Sequence, residues 1–321
     1  MNIHTPIIIS ASRRTDLPAF HTDWLMNRLK IGSCDWINPF NHQKVSISFQ
    51  KTKVFVFWSK YPQPLLSYLP EFDKQGFYYY FQYTLNDYEQ EKWEPNIPPL
   101  GKRILTFQDL SGRIGKEKII WRFDPLMLTD KIGVEELLQK VENIGNQLKG
   151  YTEKLVFSFA DITQYRKVEH NLKQKKINYR EFTIQSMSEF ARGLQDLNKN
   201  WHYTLATCAE TIDLKHYGID HNCCIDPELM KRIFAQDDDF VYYLTYNRFP
   251  EKNGLLFTNK DKNEVQRKDR GQRKACGCVL SKDIGMYNTC PYLCVYCYAN
   301  TSQNIVGMNY KLTNKNNASI V

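Results

Sequence analysis

Six short runs of β-forming apolar residues are each followed by a stretch with helical periodicity. Strands that alternate with helices favour a parallel sheet, because each helical crossover returns the chain to the same edge. We therefore predict an α/β fold, with a (β/α) barrel-like domain, complete or incomplete, as first choice and an open doubly wound sheet as second. Weaker strand candidates lie around Trp36 and at Val45–Phe49. The six runs are Ile7–Ser10, Val54–Trp58, Phe77–Thr84, Ile119–Phe123, Leu155–Phe159 and Tyr203–Thr207.

Charged side chains follow several of these strands at the point where each strand ends. In a barrel they would meet on the carboxyl-terminal face, where such folds place their chemistry. The arginines would bind anionic groups and the carboxylates would transfer protons. Each residue taken singly could equally be the polar exit from a buried strand. The predicted catalytic residues are Arg13, Arg14, Asp16, Arg122, Asp124 and Glu210.

The chain has nine cysteines, and five of them lie between Cys276 and Cys297. In a cytoplasmic protein such clustering indicates metal or redox chemistry rather than a disulfide framework. Cys290, Cys294 and Cys297 form a C-x3-C-x2-C pattern. Three thiolates on one loop can bind three irons of a 4Fe–4S cluster and leave the fourth iron open. Structural zinc is the main alternative, although it usually takes paired C-x2-C knuckles, and an inert group of buried cysteines is the simplest one.

The octet from Cys290 to Cys297 resembles the signature of the radical S-adenosylmethionine enzymes. The resemblance implies that the three cysteines bind a 4Fe–4S cluster and that S-adenosylmethionine chelates the open iron. An electron from the cluster would then cleave the sulfonium and give a 5′-deoxyadenosyl radical. By the same resemblance, Tyr296 occupies the aromatic position that flanks adenine.

Motifs along most of the chain resemble a single bacterial family. They include the stretch from Ser12 to Phe20, Val56–Lys60, Trp121–Pro125, Thr207–Glu210 and the stretch from Asp269 to Asn300. On these residues the chain is identified as a member of the domain-of-unknown-function family eighteen-forty-eight. That family is described as having a C-terminal cysteine cluster similar to that of radical S-adenosylmethionine proteins. The resemblance implies the family and leaves the reaction open.

The chain departs from the ordinary radical-enzyme pattern in the position of its cysteine loop. In those enzymes the loop follows the first barrel strand, whereas here it lies near the C-terminal end of the sequence. A circularly permuted barrel would reconcile the two. The chain also lacks the Gly-Gly-Glu stretch that those enzymes use for the methionyl amine. We predict a barrel-like domain at 1–265 and a cysteine-rich iron–sulfur segment at 266–321 packed on it, with only partial order after Asn300.

Four further cysteines could form a second, fully ligated site: Cys208, Cys224, Cys276 and Cys278. Four thiolates would complete an auxiliary 4Fe–4S cluster or a zinc site. Cys223 competes with Cys224 as the ligand. Alternatively, Cys208 and Cys224 are small buried hydrophobic residues.

The net charge of +8 favours anionic partners, either a small molecule or a nucleic acid, although a lysine-rich surface alone would give the same charge. The basic stretch from Lys260 to Lys274 could contact phosphates, with a solvated loop as the simpler interpretation. No apolar run reaches the roughly 18 residues that span a bilayer, so we expect a cytoplasmic protein with no membrane partner.

The leading functional hypothesis is a radical S-adenosylmethionine-type enzyme with one or two 4Fe–4S clusters. It would need a reductant protein such as a ferredoxin or flavodoxin. One alternative is a repair enzyme similar to DNA-photoproduct lyases, suggested by the basic charge. The other is a non-catalytic iron–sulfur protein that carries electrons or binds a partner.

Overall fold

The structure is a computed structural model that describes residues 3–250, 268, 269 and 271–321. Its described strands are short, and the longest has eight residues. In chain order they are β1 Ile3–His4, β2 Ile8–Ala11, β3 Ser33–Ile37, β4 Lys44–Ser48, β5 Val54–Ser59, β6 Tyr78–Thr84, β7 Ile119–Leu126, β8 Leu128–Thr129, β9 Lys154–Phe159, β10 Tyr179–Arg180, β11 Thr204–Thr207, β12 Ile219–His221 and β13 Lys282–Asp283.

The helices follow most of the sheet strands, as the sequence pattern predicts. They are α1 Leu17–Phe20, α2 Thr22–Ile31, α3 Gln63–Leu66, α4 Leu69–Lys74, α5 Leu100–Ile114, α6 Val134–Leu148, α7 Arg166–Gln174, α8 Ile184–Trp201, α9 Pro227–Ile233, α10 Asp238–Tyr246 and α11 Gln303–Leu312, with 3₁₀ turns at Lys116–Lys118 and Lys215–Tyr217. Asp16 caps α1 by accepting a hydrogen bond from the Ala19 amide, and Gly32 ends α2 in the left-handed conformation. None of the helices in the described ranges combines the length and the apolar character needed to cross a bilayer.

Eight strands form one parallel sheet in the order β12-β11-β9-β7-β6-β5-β2-β13. The α/β class with a large parallel sheet is therefore confirmed. Within the described residues the edge strands β12 and β13 do not pair, so a barrel closed by hydrogen bonds is not confirmed. The weaker strand candidates became β3 and β4, an antiparallel pair that forms a separate sheet with β1. The short turn between them reverses the chain, which only antiparallel pairing allows.

Alternate residues of the central strands separate two apolar cores. On β5, Phe55 and Phe57 face the larger core, which includes buried residues of α2, α4, α5, α6, α7 and α8. Val54 and Val56 face the smaller core with residues of α9 and α10. This alternation is the two-residue period of a strand buried on both faces. Helices therefore cover both faces, and α9 and α10 lie on the same side as the smaller core.

The C-terminal segment is part of the main sheet. β13 pairs with β2, so residues 282 and 283 extend the sheet that the first strands begin. The proposed domain boundary at 265/266 and most of the basic stretch from Lys260 to Lys274 lie outside the described residues. The expectation of partial order after Asn300 is wrong, because this stretch forms α11 and then docks on α2, where Trp24 Nε1 donates to the Asn317 carbonyl at 3.0 Å.

Candidate functional site

The cysteine loop begins at Cys290, seven residues after the end of β13, and contains neither helix nor strand. Neighbouring segments hold it through its backbone: Val295 N donates to the Trp93 carbonyl at 2.9 Å, and Asn300 Nδ2 donates to the Cys290 carbonyl at 2.9 Å. Leu293 takes the left-handed conformation, with φ of 56°, and turns the chain between Cys290 and Cys294. The loop is therefore a fixed turn whose shape places three thiols on one short segment.

The thiols of Cys290, Cys294 and Cys297 lie close enough to affect one another's pKa; Cys294 is buried, and Cys290 and Cys297 are half-buried. Burial and the neighbouring Cys297 together raise the pKa of Cys290 to about 12. Burial also raises the pKa of Cys294, with contributions from the other two thiols. Burial likewise raises the pKa of Cys297. Without a bound cation these thiols stay protonated at neutral pH, so a metal must displace their protons.

Tyr296, within this loop, joins a buried polar cluster formed by residues from other parts of the chain. Lys60 Nζ lies 2.7 Å from Glu94 Oε1 and 2.9 Å from the Tyr296 hydroxyl, which also donates to Glu94. Asn86 Nδ2 donates to the same hydroxyl at 3.0 Å. Burial opposes the charge of Glu94, but Lys60 and Arg103 lower the pKa of its carboxyl. Tyr296 is thus fixed by an ionised group, and its contact with adenine stays a prediction.

The second predicted cysteine set comes together from three separate segments. Cys208 Sγ lies 3.6 Å from Cys224 Sγ. A hydrogen bond links Cys224 to Cys278, and another links Cys278 to Cys276. The bond from Cys278 lowers the pKa of Cys276 to about 7. Cys223 instead donates to the Gly277 carbonyl at 2.7 Å, so Cys224 is the residue that faces the other sulfurs.

Two predicted arginines point their guanidinium groups at these sulfurs. Arg122 Nη1 lies 3.0 Å from Cys224 Sγ, and Arg13 Nη2 lies 3.4 Å from Cys278 Sγ. Burial opposes the charge of Arg122, yet the pKa of its guanidinium is raised by the sulfurs and by Asp124. Arg13 also lies over the Trp58 ring, 4.7 Å from its centroid. Arg122 is buried and Arg13 half-buried, and their charges lower the pKa of the sulfurs that they face, although the pKa values of Cys208, Cys224 and Cys278 stay raised overall.

Neither cysteine set is arranged as a ready metal site. Across residues 3–250 and 268–321, apart from residue 270, no three or more Cys, His, Asp or Glu side chains form a group that could hold a metal ion. The donor chemistry nevertheless suits a thiolate-bound cluster, because each set consists of soft sulfur ligands on neighbouring backbone. Both sets are therefore candidate ligands by residue type and position.

Of the predicted catalytic carboxylates, Asp124 lies beside the second cysteine set, whereas Asp16 joins two secondary-structure elements. Asp124 pairs with Arg122 and accepts a hydrogen bond from Ser158. Glu210 accepts from the Phe159 amide at 3.0 Å, and burial raises the pKa of its carboxyl to about 7. Asp16 uses both oxygens to join α1 to β5, because its Oδ2 accepts from Ser59 Oγ and Lys60 N. Asp16 thus positions the chain within the described structure, although burial raises its pKa to about 6.

Sequence reasoning missed Asp283, which joins the end of β2 to the C-terminal segment. Its carboxylate accepts from Ser10 Oγ at 3.1 Å, Ser12 Oγ at 2.7 Å and Arg13 N at 2.9 Å. Arg14 Nη1 lies 3.8 Å from the same carboxylate. The only signal in the sequence was the dipeptide of β13, which is too short to show a strand period.

Comparison with curated proteins gives no significant match. A family model with the description Domain of unknown function (DUF1848) matches residues 8–299, which include every strand of the parallel sheet and the whole cysteine loop. That match covers most of the chain and includes both cysteine sets. The chain therefore belongs to the DUF1848 family.

Proposed function

We propose that this chain is an iron–sulfur protein in which Cys290, Cys294 and Cys297 bind a 4Fe–4S cluster, and that it acts as a radical S-adenosylmethionine-type enzyme. The observation that carries the proposal is the position of three neighbouring thiols, one buried and two half-buried, on a loop just after the edge strand β13. Three ligands from one such loop leave one iron of the cluster without a protein thiolate.

The sheet order supports a circularly permuted relation to the radical enzymes. β13 precedes the cysteine loop in the chain and lies beside β2 in the sheet. If the chain began at β13, the neighbours across the sheet would follow one another in sequence order, from β2 to β12. The cysteine loop would then follow the first strand of the sheet, as the resemblance requires.

We further propose that Cys208, Cys224, Cys276 and Cys278 bind an auxiliary 4Fe–4S cluster or a zinc ion. The sulfur contacts support it, together with the charges of Arg13 and Arg122, which would offset the negative charge of bound thiolates. Zinc and iron–sulfur clusters both accept four thiolates, so the zinc and iron contents of the purified protein distinguish the two.

In this proposal a bound cluster supplies single electrons that come from a ferredoxin or flavodoxin. The chain's own residues do the rest. Lys60 and Glu94 fix Tyr296 within the loop, and burial shields Cys294 from water. Arg122 keeps Asp124 ionised although burial opposes its charge, so Asp124 can hold a hydroxyl donor such as Ser158.

The decisive experiment is oxygen-free purification and reconstitution, followed by iron and sulfide counts. We expect about four irons per chain for one cluster and about eight for two. Replacement of Cys290, Cys294 and Cys297 by Ala should remove about four irons. The matched control is C34A, which removes a buried cysteine that lies in β3, outside both sets. Iron-free wild-type protein, or full iron in the triple variant, would refute the proposal.

A second measurement separates an enzyme from a non-catalytic iron–sulfur protein. An open iron that binds S-adenosylmethionine should change the electron paramagnetic resonance signal of the reduced protein, and turnover should release 5′-deoxyadenosine. If the protein carries iron but shows neither effect, electron transfer or partner binding becomes the better assignment.

A further inference from the structure

A cleft of about 720 Å³ opens beside the cysteine loop. Its walls come from four parts of the chain: the end of β3 with the turn that follows it, the start of α7, the segment before the cysteine loop and the segment after it. Arg14 also lines it. A volume of this size suits a small organic ligand rather than a single ion.

The charged residues that line the cleft are all basic. Arg14, Arg166 and Lys167 line it, and none of its described lining residues is acidic. Arg14 Nη1 is buried without a hydrogen bond, and the carboxylate that it pairs with, Asp283, is 3.8 Å away. Lys167 Nζ donates to Thr301 Oγ1, while the side chain of Arg166 makes no hydrogen bond or ion pair with the described residues. Three cations therefore face the cleft with little internal compensation.

The start of α7 adds to this charge. Arg166 and Lys167 occupy its first turn, where the helix dipole disfavours cations, and no side chain caps its first amides. Glu169 lies in the same turn, but its carboxylate pairs with Lys173. An anion from outside the chain would therefore stabilise this helix start. Phosphate fits this arrangement because it accepts hydrogen bonds from guanidinium, ammonium and amide groups together.

Aromatic rings form the remaining part of the cleft. Tyr165 and Tyr298 lie 5.9 Å apart between ring centroids, and Phe40 is 89% exposed at the rim. An exposed phenylalanine and two tyrosines that line the same cleft offer flat surfaces on which a planar base can stack. An aliphatic phosphate would leave these rings unused, and a cationic sulfonium would be repelled by the three cations.

We propose that this cleft binds a nucleoside phosphate, with its phosphate at Arg14, Arg166 and Lys167 and its base between Phe40 and the two tyrosines. The assignment requires neither an iron–sulfur cluster nor S-adenosylmethionine. It concerns a free nucleotide, because the volume accommodates one nucleotide unit. A nucleic-acid strand is the competing source of the same chemistry.

The test is calorimetric titration of the full chain with AMP, adenosine, inorganic phosphate and a 5′-phosphorylated oligonucleotide. AMP should bind at least tenfold more tightly than either adenosine or phosphate, because it uses both halves of the cleft. K167Q should weaken AMP binding about tenfold through loss of a charge-assisted hydrogen bond. F40A should weaken AMP binding and leave phosphate binding unchanged.

The matched control is K173Q, which removes the same charge from the far end of α7, where Lys173 pairs with Glu169. It should leave AMP binding unchanged. Equal loss in K167Q and K173Q would mean that only general charge matters, and the proposal would fail. Binding of AMP no tighter than phosphate, or binding of the oligonucleotide without binding of AMP, would also overturn it.

Discussion

Replacement of Glu94 by Gln tests whether the buried charges around Tyr296 hold the cysteine loop. The Glu94 side chain is 2% exposed and lies 2.7 Å from Lys60 Nζ and 3.5 Å from Arg103 Nη1. Glutamine keeps the shape of the side chain but removes its negative charge. Two cations, both largely buried, then remain without their counter-charge, and the Tyr296 hydroxyl loses its ionised acceptor.

The expected cost is large because the lost partner is buried. Breaking a buried ion pair on one side typically destabilises a protein by about 3–5 kcal/mol. That is a substantial part of a total stability of about 5–15 kcal/mol. Removal of the Lys60 charge in the same chain, as K60M/E94Q, should recover part of the loss, because one unpaired cation disappears. We expect a favourable coupling of about 1–3 kcal/mol between the two substitutions.

Urea denaturation followed by tryptophan fluorescence measures these changes as shifts in the transition midpoint. The matched control is D196N, which breaks the exposed pair of Asp196 and Lys199 and should cost less than about 1 kcal/mol. Thiol titration of the folded protein should show faster reaction of Cys294 in E94Q. A loss in E94Q no larger than that in D196N would refute the reasoning.

Two further predictions concern packing and pH. G145A should destabilise the protein by about 1–3 kcal/mol, because the new Cβ would lie 2.5 Å from the Trp201 ring. G112A, whose new Cβ would have nothing within 4 Å, should stabilise the protein by up to about 1 kcal/mol. Thermal melting measures both changes. Burial lowers the pKa of His21, which hydrogen-bonds the Thr289 carbonyl, to about 4, so its neutral form is favoured in the folded state. The contribution of His21 to the free energy of unfolding should therefore be complete above about pH 6.5 and should fall by about 3 kcal/mol as the pH is lowered to about 4. Urea midpoints measured across this pH range should fall clearly less in H21Q than in the wild-type protein.

Local patterns predicted most strands of the large sheet. Val54–Trp58 and Phe77–Thr84 are dense in β-forming residues, and both lie within or around the strands β5 and β6. Such runs are recognisable because burial on both faces requires continuous apolar sequence. β13 carried no such signal, since two residues at an edge need no apolar run.

The sequence predicted which residue types form the candidate site, but it predicted less well which of them contact one another. Spacing alone grouped Cys290, Cys294 and Cys297, because they lie on one loop. The grouping of Cys208 with Cys224 was predicted from residue type alone, and the structure brings the two sulfurs together, whereas no local pattern indicated that Cys223 would turn toward the Gly277 carbonyl. The role of Asp16 in joining α1 to β5 was also invisible, because its partners depend on how the two elements pack.

The sequence by itself determined the alternation of strands and helices and the three-cysteine loop, because both are encoded in residues close together in the chain. Tertiary structure decided which strands lie at the sheet edges, which distant sulfurs meet Arg13 and Arg122, and which cations line the cleft beside Tyr298. The physical reason is that long-range pairing depends on the packing of whole elements. No short stretch of sequence contains that information.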